Sequence, residues 1–399
     1  MSPMREDFRP NTDATPPATR QRVPATRQRV LVAMSGGVDS SAAALLLAQQ
    51  GYDVTGVHLK MADTPSGLPG KGCCTLDDAR DARRVADTLG IPFYVWDFSE
   101  AFGERVVDDF VAEYAAGRTP NPCIRCNERV KYAALLARGR AMGYDALATG
   151  HHVQLDQEAG RWRMRRASDP GKDQTYVLYM ASQDQLAHTM WPAGTYQKSE
   201  LRELAASHGL VTAAKPDSHD ICFIPSGDLG GFLKPRLGER PGSFIGPDGA
   251  VVGFHDGAYR FTVGQRRGLG LAGFDEPLYV TAVDGDQVHV GPKEALETAA
   301  LEAFNVSWIA GHAPKGPTAS RLSAQVRYRG EALPAQLEEV GEDRVRVTFY
   351  DERPLGIAPG QAVVFYDADE CLGGATIVGA TAEGLGDLGA TGKPLKTLG

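Results

Sequence analysis

The chain has 399 residues, 42% of them hydrophobic, and 50 acidic against 42 basic side chains give a formal charge of -8. That length and apolar content fit two or three domains with real cores and exclude disorder of the whole chain. The net acidity excludes indiscriminate nucleic-acid binding, because phosphate contacts draw on clustered Lys and Arg.

Residues 1–28 are rich in Pro, Thr and Arg and carry a tandem heptapeptide, Pro17 to Val23 repeated as Pro24 to Val30, so a disordered tail is expected up to about Gln28. From Arg29 the pattern alternates: strand 29–34, helix about 41–50, strand VTGVHL, helix 76–89, strand FYVWDF and helix about 101–116. A proline-punctuated loop follows, then helix 128–142, strand 146–150 and helix 199–209. Such alternation predicts an α/β domain with a doubly wound parallel sheet, its ligands outside the carboxyl ends of the strands. After residue 226 come short β-like runs such as YRFTVG, PLYVTAV, QVHVG, SAQVRYRG, DRVRVTFY and QAVVFYD. They predict two small β domains, about 227–298 and 299–381, the second a β-barrel, after a first domain of 29–226 and before a loose Gly-rich tail, 382–399. No apolar run approaches the roughly 20 residues of a membrane span, and the N-terminus lacks a secretory apolar core, so no membrane and a cytoplasmic location are expected.

The apolar strand at Arg29 opens into Ser35-Gly36-Gly37-Val38-Asp39-Ser40 and then an apolar helix. Two glycines let backbone N-H groups approach an anion, and the helix N-terminus adds partial positive charge, which together make a phosphate cradle. No Gly-Lys-Ser/Thr follows, so this is not a Walker loop. A serine-capped helix start describes the same local structure but leaves the paired glycines unexplained. The run resembles the SGGxDS loop of the PP-loop ATP pyrophosphatases, which split ATP between the α and β phosphates.

Six cysteines, four in the close pairs Cys73-Cys74 and Cys123/Cys126, suit metal or thiol chemistry better than a secreted disulfide framework. Cys126 is expected just before a helix starting near Glu128, where N-H dipoles would favour its thiolate. Cys222 falls in the polar loop DSHDICFIP, and Cys371 reads as packing. Structural zinc or inert buried thiols are the alternatives, zinc being disfavoured by the lack of a second Cys-x-x-Cys.

Beyond the loop, the chain carries MSGGVDSS at 34–41, GRTPNPCIRCN at 117–127, ATGHH at 148–152, GKDQTYVLY at 171–179, DICFIP at 220–225 and TVGQRRGLG at 262–270, with YRG at 328–330 and PGQAVVFY at 359–366. In the order and spacing of these motifs it resembles the bacterial tRNA-specific 2-thiouridylase (MnmA/TrmU) family. The resemblance implies an ATP site of Ala33, Met34, Ser35, Gly36, Gly37, Val38, Asp39, Ser40 and Leu59, closed by Gly150. It implies Cys126 as nucleophile and Cys222 as persulfide carrier, with Asn121, Pro122 and Cys123 meeting the target base. His151, Lys172, Asp173, Gln174, Arg327, Tyr328 and Gln361 match positions that contact tRNA.

The implied reaction is 2-thiolation of the wobble uridine of tRNAs for Lys, Glu and Gln, with ATP as substrate, Mg2+ alongside and a sulfur-donor or relay protein upstream. Uracil's C2 oxygen leaves badly, so ATP first converts it to an adenylate, releasing pyrophosphate. Persulfide sulfur from Cys222 then displaces AMP, and resolution by Cys126 leaves a Cys126-Cys222 disulfide. Many family members carry Asp where this chain has Cys123. Cys123, Cys126 and Cys222 therefore also form a possible ligand set for a [4Fe-4S] cluster with one open iron. Cys73 and Cys74 match no catalytic position in the family.

Basic patches for RNA are offered by RWRMRR at 161–166, Gln265-Arg266-Arg267 and Arg327-Tyr328-Arg329, each of which also reads as a solvated strand face. GKDQTYVLY alternatively reads as a helix capped by Asp173 with Tyr176, Leu178 and Tyr179 packing. The competing functions are another PP-loop enzyme, such as an amidotransferase-type synthetase or tRNA lysidine synthetase, and a non-catalytic RNA- or metal-binding module. The first does not require the paired loop cysteines, and the second leaves the phosphate cradle without a task.

Overall fold

Val30, Leu31 and Val32 are fully buried in β1 (Arg29–Ala33), and alternation along the strand sends them to opposite faces. Val30 and Val32 join one apolar cluster and Leu31 another, which is why helices must cover both sides of this sheet. Each such buried side chain is worth roughly 1.5–3 kcal/mol. The computed structural model describes residues 27–61, 76–217, 221–224 and 227–381. The N-terminal repeat up to residue 26, Cys73, Cys74, most of the DSHD stretch before Cys222 and the C-terminal Gly-rich tail lie outside them.

After β1 come α1 (Val38–Gln49), β2 (Asp53–Lys60), α2 (Leu76–Leu89), β3 (Phe93–Asp97) and β4 (Ala146–Thr149). A hairpin of β5 (Gln154–Glu158) and β6 (Arg161–Arg165) precedes β7 (Thr189–Met190). The sheet is all parallel in the order β3-β2-β1-β4-β7. On one face lies α1 with Val38, Ala44, Leu45 and Leu47 buried; on the other lies the helical run Pro122–Arg125, Cys126–Leu135 and Leu136–Ala141, burying Ile124, Val130 and Leu135.

The helix expected from Glu128 instead begins at Pro122. Asn121 caps it, its side-chain oxygen accepting from the Cys123 N-H at 3.1 Å, and Pro122 occupies the first helical position, where its missing donor costs nothing. Cys123, not Cys126, is therefore the cysteine in the first turn. The first helix likewise starts three residues earlier than expected, at Val38.

A helix at Leu229–Leu237 leads into β8 (Gly242–Ile245), β9 (Val251–His255), β10 (Tyr279–Asp284) and β11 (Gln287–Gly291), a sheet ordered β10-β11-β8-β9. The run YRFTVG, expected as a strand, is a single 3-10 turn at Ala258–Arg260 followed by irregular chain. Tyr259 and Phe261 are buried there by packing rather than by a strand ladder. Six further strands follow: β12 (Ala300–Trp308), β13 (Leu322–Gln325), β14 (Leu333–Gly341), β15 (Arg344–Phe349), β16 (Ala362–Asp367) and β17 (Glu370–Ala380). They run β12-β15-β14-β13-β16-β17, and pairing of β12 with β17 closes the barrel. The barrel is also joined to the first domain, since β17 pairs with β6 at Glu370 to Arg165 and Cys371 to Met164.

Candidate active site

The phosphate loop is held by its own side chains. The Ser35 N-H donates to Ser40 Oγ at 3.1 Å, and the Ser40 and Ser41 hydroxyls donate to the Gly37 carbonyl at 3.1 and 2.8 Å. Gly36 has φ of +79°, and a Cβ there would collide with the Asp78 carbonyl, so only glycine fits. Behind the loop, a Cβ on Gly150 would lie 2.5 Å from the Ser40 nitrogen, so the end of β4 touches the start of α1.

A cavity of about 490 Å³ opens over this loop, lined by Ser35, Gly37, Val38 and Asp39 on one side and Tyr328, Arg329 and Gly330 of the barrel on the other. Lys172, Asp173 and Gln174 line it as well. The structure thus brings together in one cavity residues expected for ATP and residues expected for tRNA. Ala33, Met34, Gly36, Ser40, Leu59 and Gly150 do not line it; Met34 and Leu59 are buried in the domain core. Arg327 is exposed outside the lining, in a turn at the barrel rim where the sequence pattern suggested strand.

GKDQTYVLY forms two short 3-10 turns, Pro170–Lys172 and Thr175–Val177, rather than a helix. Asp173 receives Arg166 at 2.8 Å, the Thr175 hydroxyl at 2.7 Å and the Ala167 N-H at 3.1 Å, while Gln174 accepts from the His152 N-H at 2.9 Å. Those bonds bend the segment around polar groups, and Tyr176, Leu178 and Tyr179 are buried beneath it. His151 faces inward, Nδ1 lying 2.7 Å from Thr149 Oγ1 and 3.3 Å from the Tyr132 hydroxyl, and burial pushes its pKa well down.

The floor of the cavity joins Asp39 and Lys172, both expected in the site, to His152, Lys198 and Asp217, to which the sequence reading assigns no role. Both Asp39 oxygens take Lys198 Nζ, at 2.6 and 2.7 Å, and His152 Nε2 lies 3.0 Å from one of them. Burial alone would raise the Asp39 carboxyl, but the His152 hydrogen bond and charge, with Lys198, hold it below the ordinary range. Lys198 also meets Asp217 at 2.9 Å, and Asp217 takes Lys172 at 2.8 Å and Arg202 at 2.7 Å. A lysine opening a helix runs against the helix dipole, and that was the one local signal for Lys198.

Cys126 is 7% exposed, its Sγ 3.9 Å from Met61 Sδ in the apolar cluster under the helical run. Cys222 is half-buried against the same cluster, and its neighbour Phe223 packs edge-on against Phe102 and Phe110 at 5.8 and 5.2 Å. Cys123 is exposed, on the side of Tyr328, whose hydroxyl its charge pushes upward after the larger effect of burial. Among the described residues no three His, Cys, Asp or Glu side chains converge to hold a metal. The arrangement does not fit a cluster on Cys123, Cys126 and Cys222. Cys371 is fully buried in β17, and burial pushes its thiol up to about 12. Gln361 donates to the Thr119 carbonyl at 2.8 Å and the Thr119 N-H donates to the Pro359 carbonyl at 2.7 Å, so the barrel holds the chain that leads into Asn121 and Pro122. Among the described residues no helix is long and apolar enough to cross a membrane.

The tRNA methyl transferase HUP domain model matches residues 28–226, the corresponding PRC-barrel domain 230–292, and the aminomethyltransferase beta-barrel domain 298–377. The chain is 50% identical over 352 residues to the tRNA-specific 2-thiouridylase MnmA of Thermobifida fusca, covering 87% of this chain and 95% of that protein. It is 50% identical over 362 residues to the MnmA of Streptomyces avermitilis, with 88% and 95% covered, and 49% identical over 365 residues to that of Mycobacterium ulcerans, with 88% and 98% covered. With three domain models in one order and about half of all positions shared over nearly the whole length, the chain belongs to the tRNA-specific 2-thiouridylase family.

Proposed function

We propose that this chain uses ATP to convert the wobble uridine of tRNAs for Lys, Glu and Gln to 2-thiouridine. The observation that carries this reading is the single cavity in which the Ser35 to Asp39 phosphate loop faces the Tyr328 to Gly330 rim. ATP bound on the loop lies open to a base presented from the barrel side, and a base must leave its stack to reach so enclosed a place.

In the first step the uridine C2 oxygen bonds to the α-phosphorus as the bond from that phosphorus to its bridging oxygen breaks. The electron pair leaves with pyrophosphate, and the N3 proton passes to water. Ser35 and the Gly37 backbone hold the departing phosphates. Asp39, the carboxylate that the phosphate loop itself adds to the lining, suits a Mg2+ carried in with ATP, which neutralises phosphate charge when bound.

In the second step the terminal sulfur of a Cys222 persulfide bonds to C2, and AMP leaves with the oxygen. The Cys126 thiolate attacks Cys222 Sγ, the S-S bond to the transferred sulfur breaks, and the thiocarbonyl forms. The resulting Cys126-Cys222 disulfide takes two electrons from a thiol reductant before the next turn. A partner protein supplies the persulfide sulfur to Cys222. The roles of Asn121, Pro122 and Cys123 at the base, and of His151, Lys172, Asp173, Gln174, Arg327, Tyr328 and Gln361 toward tRNA, belong to this reading. So do the divisions 29–226, 227–298 and 299–381 and a cytoplasmic site of action. Persulfide transfer is preferred to a cluster because Cys126 and Cys222 share one apolar cluster while Cys123 is exposed toward Tyr328.

The test is nucleoside mass spectrometry on unthiolated tRNA incubated with the protein, ATP and a sulfur source, with AMP and pyrophosphate quantified alongside. The expected result is 2-thiouridine matched by AMP. AMP without 2-thiouridine would move the substrate elsewhere.

A further inference from the structure

Lys198 is an anomaly that the phosphate loop alone does not explain. It is only 8% exposed and stands at the first position of the helix Lys198–Ser207, where the helix dipole disfavours a cation. A buried ammonium requires anions around it, and here it has two: Asp39 through both oxygens and Asp217 at 2.9 Å. Asp217 in turn serves three cations, since Lys172 and Arg202 also reach it at 2.8 and 2.7 Å. Hydrogen bonds from Lys172 and Lys198 overcome burial and hold its carboxyl well below the usual carboxylate range. One carboxylate gathering three cations has the charge balance of an anion site filled by the protein's own side chain. Lys198, Lys172, Asp39 and Asp217 all line the cavity together with Ser35 and Gly37, so that site adjoins the cradle where pyrophosphate forms.

We propose that Asp217 stands in for pyrophosphate in the nucleotide-free protein, and that Lys198 is the catalytic cation it surrenders when ATP arrives. This rests on the adenylating reaction proposed above. As the bond between the α-phosphorus and its bridging oxygen breaks, negative charge gathers on the leaving pyrophosphate. Lys198 Nζ turns from Asp39 and Asp217 to that charge, donating hydrogen bonds without giving up its proton, while Lys172 and Arg202 retain Asp217. Asp39 is freed by the same movement to face the cation that accompanies ATP. The exchange makes Asp217 a competitor of the substrate's phosphates, which sets its expected behaviour apart from that of an ordinary ion-pair partner.

Isothermal titration of the full chain with inorganic pyrophosphate and Mg2+ tests this directly. Lys198→Met is expected to weaken pyrophosphate binding about tenfold or more and to lower kcat for AMP formation by about 10²–10³, with Lys198→Arg recovering part of both. Asp217→Asn is expected to tighten pyrophosphate binding about fivefold, because the competing charge is gone. A purely structural carboxylate would do the reverse, so Asp217→Asn binding pyrophosphate no better than the parent chain would overturn the proposal. Lys198→Met binding it equally well would do the same. Scoring 2-thiouridine in the parent preparation separates the two readings. Thiolation without either pyrophosphate shift sinks only the Lys198 exchange, and both shifts without thiolation sink only the choice of substrate.

Discussion

Gly150 and Ser40 are 110 positions apart in the chain, yet a single methyl group on Gly150 would sit 2.5 Å from the Ser40 nitrogen. Gly150→Ala therefore pushes the phosphate loop off its seat without touching ATP, and a displacement of that order costs about 10²-fold in rate. Pyrophosphate release should fall by that factor while tRNA binding stays near the parent value, measured by a coupled phosphate assay and by filter binding. The thiols separate the two half-reactions. Cys126→Ser and Cys222→Ser should each abolish 2-thiouridine while ATP binding persists, and a variant that keeps near-normal thiolation removes that cysteine from the mechanism. At this scale the glycines were legible because a tight turn is local chemistry, whereas the thiol expected at the helix start, Cys126, lies inside the helical run and Cys123 takes the first turn. Lys198, Asp39 and Asp217 were not legible as a group, since Lys198 lies 159 positions from Asp39 and only the folded sheet brings them to hydrogen-bond distance.

Helices and strands of the first domain follow from apolar runs and alternation, and the errors fall where polar side chains or prolines set the backbone. RTPNPC reads as loop because of its two prolines, whereas Asn121 and Pro122 are a cap and a first helical residue. YRG at the barrel rim and YRFTVG in the middle domain have strand composition, but the Arg327 to Gly330 turn and the bend at Gly264, with φ of +90°, end any ladder. The loop-to-barrel joint at Thr119 is a consequence of this layout. Gln361 and Pro359 hold Thr119 two residues ahead of Asn121, and so fix where the helix bearing Cys123 and Cys126 begins. Gln361→Ala removes one hydrogen bond, worth about 1 kcal/mol, and should lower thiolation severalfold with a smaller effect on AMP formation. Equal losses in both would place the residue in the nucleotide step instead.

On the scale of the molecule, the α/β class and the β-rich second half were visible in the sequence, but the joint between them was not. The β6 to β17 pairing links Arg165 to Glu370, and no local pattern announces a ladder across that distance. That joint also decides which basic patch can meet RNA. Arg161 pairs with Glu370 at 2.8 Å, Arg163 with Asp156 and Glu158, Arg165 with Asp156 and Asp369, and Arg166 with Asp173. The RWRMRR charge is spent within the protein, holding the hairpin and its contact with the barrel. Arg266, Arg267, Arg327 and Arg329 are exposed, and among the described residues none of them has a carboxylate partner. In a chain of net charge -8, binding to a polyanion must rest on such uncompensated arginines. Replacing Arg266 and Arg267 together, or Arg327 and Arg329 together, with Ala should weaken tRNA binding and reduce the slope of log K against log salt by roughly one for each arginine that meets a phosphate. Arg163→Ala should leave that slope unchanged and lower the melting temperature instead, because its guanidinium already serves Asp156 and Glu158. A steeper loss of tRNA affinity from Arg163→Ala than from the exposed pairs would reverse this assignment of the RNA-facing surface.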